Sequence, residues 1–247
     1  MPTIKYANSE ALTKNIMNEL PSPNFGERVA NTPIDMLVLH YTGMIDGDAA
    51  LERLCDPDSK VSAHYCIDED GTVYCLVDEE RRAWHAGVSY WRGETDINSR
   101  SIGIELINPG HGHGYRPFPE KQMNSLIDIS QQIINRHPIP PRNVVAHSDI
   151  APARKQDPGE LFDWRLLASE GIGLWPNASE SRDRDFMEMA SVYGYDMHTE
   201  KIAAAFQRHF RPEIIDNKVD EKSTCLMAGL LEIINSQTNH PSYVVSD

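Results

Sequence analysis

Three side chains far apart in the chain, His40, His147 and Asp157, have the chemistry of a metal site. Two imidazoles and one carboxylate suit zinc and leave a fourth position open for water. His40 ends the apolar run Met36-Leu-Val-Leu, and His147 follows Asn143-Val-Val-Ala. Both runs read as short strands, and side chains at the C-terminal ends of such strands project into a site at the sheet edge. Asp157 lies in Arg154-Lys-Gln-Asp-Pro-Gly159, a loop bounded by Pro and Gly. Spacing alone is a weak signal. The chain has 10 histidines, and a histidine is more often a surface or hydrogen-bonded group than a ligand.

The elements that must position these residues can be read from periodicity. Met36 to His40 is a continuous apolar run, as in a strand buried on both faces. Val61 to Ile67 and Thr72 to Val77 alternate, and Asp68-Glu-Asp-Gly71 between them predicts a hairpin turn. Ser101 to Ile107 is a further strand. Pro119 to His137 carries Met123, Leu126, Ile127, Ile133 and Ile134 at helical spacing, and Pro138-Ile-Pro-Pro141 stops it. The fold class predicted is α/β (α+β), a mixed central sheet flanked by helices. Residues 1–29, broken by Pro-Ser-Pro-Asn-Phe-Gly, read as an N-terminal arm, and residues 30–176 as the main domain. Trp175 to Ser181 reads as a linker. Residues 182–236 then offer three helical stretches, Arg184–Val192, Thr199–Phe210 and Ser223–Ile234, a small C-terminal three-helix domain. Its middle helix places Ile202, Phe206 and Phe210 on one stripe.

Composition narrows the partners. The chain of 247 residues is 40% hydrophobic and 24% charged, ordinary for a globular protein. Its net charge of −14 would repel a phosphate backbone and disfavours anionic lipid, so nucleic acid is not an expected partner. The N-terminal segment shows no apolar signal core, and no run approaches the ~20 apolar residues of a membrane span. As written the protein is expected in the cytoplasm; a chain trimmed of a leader would read the same way and belong to the periplasm or cell envelope. Cys55, Cys66, Cys75 and Cys225 form no C-x-x-C pair. They read as reduced thiols, with a Cys66–Cys75 bridge across the hairpin as the alternative.

Five motifs follow one another in order: Leu39-His-Tyr-Thr42, Val61-Ser-Ala-His-Tyr65, Arg82-Ala-Trp-His-Ala-Gly87, Asn98 with Ser101-Ile-Gly-Ile-Glu105, and Ala146-His-Ser-Asp-Ile-Ala-Pro-Ala-Arg-Lys-Gln-Asp-Pro-Gly159. The series resembles the N-acetylmuramoyl-L-alanine amidases of the AmpD/AmiD type, relatives of peptidoglycan recognition proteins and phage lysozyme-amidases, over about residues 34–165. The resemblance implies a zinc amidase that cuts between the lactyl group of muramic acid and L-alanine in peptidoglycan or muropeptides. It implies one zinc per chain, held by His40, His147 and Asp157, with Glu105 and Lys155 as catalytic partners. Zinc brings the pKa of bound water to about 7. Glu105 would take the water's proton and return it to the leaving nitrogen, and Lys155 would face the oxyanion. Trp84, His85 and Asn98 are the expected substrate contacts, His85 at the muramyl or lactyl portion and Asn98 at the stem peptide. The competing roles are a structural histidine beside Trp84 and a brace for the Glu105 strand.

Other residues keep two readings each. His64 shares a strand face with Ser62 and Cys66 and is either structural or near-catalytic. Asp149 either orients a ligand or caps the next turn. His111-Gly-His-Gly114 reads as a loop over the cleft in preference to a second metal site. In the C-terminal part, Tyr193-Gly-Tyr195, Ala205-Phe-Gln-Arg-His-Phe-Arg-Pro212 and Asp216-Asn-Lys-Val-Asp220 resemble the three-helix peptidoglycan-binding domain. That implies an anchor for polymeric glycan, against a plain helical appendage. Asn217 stands where a glycine is usual, and Asn tolerates the left-handed conformation. Two functional alternatives remain: a recognition protein that holds muropeptide without cutting it, and a peptidase acting within the stem peptide. The first has no need of Asp157, Glu105 and Lys155; the second is weakened by the lack of an H-E-x-x-H helix. Oligomeric state is left open.

Overall fold

The computed structural model describes residues 17–180 and 183–239. The first elements are strands β1 (Met17–Glu19), β2 (Phe25–Glu27) and β3 (Met36–Tyr41), followed by helix α1 (Gly47–Cys55). The predicted hairpin is β4 (Tyr65–Ile67) and β5 (Val73–Cys75), paired antiparallel. Strand β6 (Arg81–Ala83), helix α2 (Ile97–Arg100), strand β7 (Ser101–Leu106) and helix α3 (Glu120–Arg136) follow. Then come β8 (Val144–Ala146), α4 (His147–Ile150) and α5 (Trp164–Ser169).

The main sheet has the order β1-β5-β4-β7-β3-β8. Its centre, β4-β7-β3-β8, is parallel. A second, two-stranded sheet joins β2 to β6. The described part of the expected arm therefore supplies β1, parallel to β5, and β2, antiparallel to β6. Residues 1–16 lie outside the described residues.

Alternation along β3 explains the layering. Leu37 and Leu39 face one side of the sheet and join Ile102, Ile104, Leu126, Ile129, Ile133 and Leu167 in a core under α3 and α5. Helix α3 buries Met123, Leu126, Ile129 and Ile133 and ends at His137 before Pro138. Met36 and Val38 face the opposite side. A parallel sheet needs both faces covered, and here the C-terminal helices cover the second: α6 (Phe186–Tyr193), α7 (Ile202–Phe210) and α8 (Glu221–Asn239). Met36, Val38 and Val145 of the sheet share one apolar cluster with Phe186, Phe206, Phe210, Met227 and Leu230.

The expected linker is fastened down as well. Ser179 N–H donates to Cys225 O at 2.9 Å, and Asn177 O lies 1.9 Å from where a Cβ on Gly229 would stand, so α8 needs glycine at the crossing. Ser181 and Arg182, at the end of that stretch, lie outside the described residues. Asn217 adopts φ 59°, in the left-handed region. Tyr65 and Cys75 are paired across the hairpin, which puts Cys66 and Cys75 on opposite faces of the sheet. No disulfide joins them.

Candidate active site

His40 and Glu105 are register partners on β3 and β7, near the C-terminal ends of the parallel strands. His147 opens α4 directly after β8, and Asp157 arrives from the following loop, where its carbonyl accepts from Ser148 N–H at 3.0 Å. All three expected ligands are buried. His40 Nδ1 lies 2.8 Å from His147 Nδ1 and 3.1 Å from Asp157 Oδ2, and His147 Nδ1 lies 2.9 Å from that same oxygen. Among the described residues this is the one group of three or more His, Cys, Asp or Glu side chains whose ligand atoms converge.

Hydrogen bonding assigns the protons around this cluster. His147 Nε2–H donates to Ala86 O at 3.0 Å, which leaves Nδ1 with its lone pair. Ser101 Oγ–H donates to Ile97 O at 2.7 Å, so its oxygen accepts from His85 Nε2–H at 3.1 Å. His85 Nδ1 is then an acceptor, and His40 Nε2–H donates to it at 3.0 Å. His40 Nδ1 is thereby also a bare lone pair. Two imidazole lone pairs and a carboxylate oxygen thus meet within 3.1 Å with no proton assigned between them. They repel unless a cation sits among them. The donor set fits zinc in type, and its atoms, 2.8–3.1 Å apart, would have to open to the roughly 3.3–3.4 Å that tetrahedral ligand bonds near 2.0–2.1 Å need. Burial, and then the neighbouring His147, hold His40 below its ordinary pKa.

Glu105 stands beside the cluster. Burial, reinforced by Asp157 and opposed by Lys155, pushes its carboxyl up to about 8. Its Oε2 is buried without a hydrogen-bond partner. A cleft of about 460 Å³ is lined by Trp84, His85, Glu105, His147, Lys155 and Asp157, with Tyr41, Arg53 and Arg154 also on its walls.

Asn98 stands outside that lining. Its Oδ1 accepts from His85 N at 3.1 Å and Ala86 N at 2.8 Å, so it fixes the Trp84–Gly87 loop from behind. His64 Nδ1 accepts from Gly103 N–H at 2.9 Å and belongs to the sheet backbone. His111 bonds Tyr41 Oη at 2.8 Å and Glu160 at 3.1 Å and stacks on Tyr115, which ties its loop to Tyr41 of the cleft wall. Sequence reasoning missed Arg53 on the cleft wall and three residues that bond around the site. Arg154 Nη2 donates to Ala86 O at 2.8 Å and Val88 O at 2.7 Å, and only its place beside Lys155 could have flagged it. Tyr195 and His209 reach Asp149 from the C-terminal helices; nothing local signals that.

The profile of the N-acetylmuramoyl-L-alanine amidase family matches residues 30–160, which include His40, Glu105, His147, Lys155 and Asp157. The chain belongs to that family. It is 38% identical over 231 residues to the N-acetylmuramoyl-L-alanine amidase AmiD of Escherichia coli K12, covering 81% of this chain and 83% of AmiD. The structure of E. coli AmiD with anhydro-N-acetylmuramic acid-L-Ala-D-gamma-Glu-L-Lys superposes with a TM-score of 0.74 at 36% identity, over 85% of this chain and 98% of that one. AmpDh3 of Pseudomonas aeruginosa, solved with an anhydromuramic pentapeptide, gives 0.74 at 33% identity over 95% and 99%. The 1,6-anhydro-N-acetylmuramyl-L-alanine amidase AmpD of Enterobacter cloacae is 36% identical over 59% of this chain and 84% of its own length. This amidase shares the mixed α/β fold of those relatives, and no helix among its described residues is long and apolar enough to cross a membrane.

Proposed function

We propose that the chain hydrolyses the amide bond between the lactyl group of N-acetylmuramic or anhydro-N-acetylmuramic acid and L-alanine, with one zinc ion held by His40, His147 and Asp157. The observation that carries this reading is the convergence of three deprotonated ligand atoms beside the unpartnered Oε2 of Glu105. A pure recognition protein needs neither. Bound zinc would supply Lewis acidity, making water acidic near neutral pH and polarising the scissile carbonyl.

The chain's own groups do the rest. Glu105 takes a proton from the attacking water and delivers it to the departing alanine nitrogen. Lys155 places its ammonium where negative charge grows on the former carbonyl oxygen. Trp84 offers an apolar wall to the sugar or lactyl group. His85 holds the tautomer of His40, and Asn98 holds the backbone of His85. Substrates of the kind bound by the AmiD and AmpDh3 relatives carry free carboxylates on their stem peptides, and Arg53 at the cleft wall suits them.

Mass spectrometry of a defined anhydro-muropeptide after incubation with zinc-loaded protein tests the reading. Release of an intact stem peptide with a free L-alanine amine is the expected result. Cleavage within the stem, or tight binding without any product, would replace the proposal by the peptidase or the recognition alternative.

A further inference from the structure

Asp149 is a carboxylate with 1% exposure, two residues after His147 on the short helix α4. A buried carboxylate is costly unless donors surround it. Here three do. Oδ2 accepts from Ala146 N–H at 2.8 Å, the residue immediately before His147. The same oxygen meets His209 Nδ1 at 2.7 Å, and Oδ1 accepts from Tyr195 Oη–H at 2.7 Å. His209 and Tyr195 both belong to the C-terminal half, His209 on α7 and Tyr195 just after α6. His209 is 2% exposed, and its ring stacks on Trp164 at 3.8 Å, so its position is set by packing and not by solvent.

We propose that the C-terminal helices are a positioning element of the catalytic centre: His209 and Tyr195, acting through Asp149, hold the strand-to-helix turn from which His147 projects. The inference rests on the reading of His147 as a metal ligand. Its geometric content is separate. One carboxylate ties the backbone next to the ligand to two side chains from another part of the chain. Groups that orient a ligand in this indirect way typically govern metal affinity by 10–100-fold when removed. A module that served only to anchor the enzyme on glycan would have no such bond to the ligand's helix.

The test uses the full-length chain and zinc alone. Chelator competition measures the zinc dissociation constant of the parent, His209→Leu, His209→Asn, Tyr195→Phe and Phe206→Leu, alongside thermal melting. His209→Leu deletes the donor at Nδ1, and His209→Asn places an amide N–H near the same point. Phe206→Leu weakens the same helices without touching Asp149. The expected result is zinc binding weakened 10–100-fold in His209→Leu, largely recovered in His209→Asn, and unchanged in Phe206→Leu despite a lower Tm. Tyr195→Phe, which removes a single oxygen, should show a smaller loss and keeps the question answerable if His209→Leu does not fold. Parent-like affinity in both His209→Leu and Tyr195→Phe would overturn the brace. So would an equal loss in Phe206→Leu at matched Tm, which would mark a general structural effect. Parent-like zinc binding by His147→Ala would instead remove the metal reading on which the inference stands.

Discussion

The imidazole of His85 rests on the backbone of Gly103: a Cβ added there would lie 2.4 Å from the ring. Glycine at 103 is what lets His85 lie flat over β7 and reach His40. Gly103→Ala should push the ring away and break the run from Ser101 through His85 to His40. A destabilisation of about 1–3 kcal/mol is expected from overpacking a tight site. Denaturant midpoints and zinc content per chain check this; a parent-like zinc content would show that His40 keeps its tautomer without His85.

Ligands and acid–base groups should separate cleanly. His147→Ala and Asp157→Ala should lose zinc. Glu105→Gln and Lys155→Ala should retain it while turnover falls roughly 100–1000-fold or more. Stripping the parent with a chelator should abolish hydrolysis, and zinc should restore it. Atomic absorption on each variant, paired with product release, decides the assignment. Zinc loss in Glu105→Gln would contradict it.

Acid should switch the enzyme off through Glu105. Burial first, then Asp157, raise this carboxyl to about 8, and a nearby dication favours the ionised form and brings it lower. The base works only when ionised, so kcat/KM should fall about tenfold per pH unit below that pKa and level off above it. Glu105→Gln should remove the slope. A slope that persists in that variant would assign the titration to another group.

Glu79 should govern acid stability. Burial alone would raise its carboxyl, but Arg136, Tyr65 and His137 outweigh it and bring it down to about 2. The donors stand at 2.6 Å, 2.7 Å and 2.7 Å. A depressed carboxyl contributes stability above its unfolded pKa of about 4.3 and loses it as pH falls toward about 2. Urea midpoints between pH 6 and pH 2.5 should therefore drop less steeply in Glu79→Gln than in the parent.

Truncation after Pro176 should abolish activity on soluble muropeptide as well as on insoluble peptidoglycan. The cut would expose Met36, Val38 and Val145, which share their cluster with Phe206 and Phe210. Retained hydrolysis of the soluble fragment by a folded truncated chain would show that the helices are dispensable for the sheet.

Much of this site was legible from residue order. Apolar runs marked β3, β7 and β8, and their ends carried His40, Glu105 and His147. What escaped depends on pairing between distant segments. Met17–Glu19 is too short and too exposed to show a strand pattern, and exists as one because β5 offers it an edge. Of the residues expected at the substrate, Trp84 and His85 line the cleft, and the engagement of both His85 ring nitrogens and of Asn98 with the loop backbone depends on pairings the sequence does not display. Asp149 offered two roles from its neighbours alone. Its distant partners, Tyr195 and His209, lie 46 and 60 residues away.

Arg53, Arg154 and Lys155 gather at the cleft of a chain whose net charge is −14. Three cationic side chains at one cleft of an acidic chain would focus the field there, alongside the buried carboxyls of Glu105 and Asp157. An anionic stem peptide would then be guided toward that mouth, and its rate of capture should decline as added salt screens the field. Neutral analogues gain nothing from that guidance. Such a charge distribution would favour anionic wall fragments during approach, before any contact with the reacting bond.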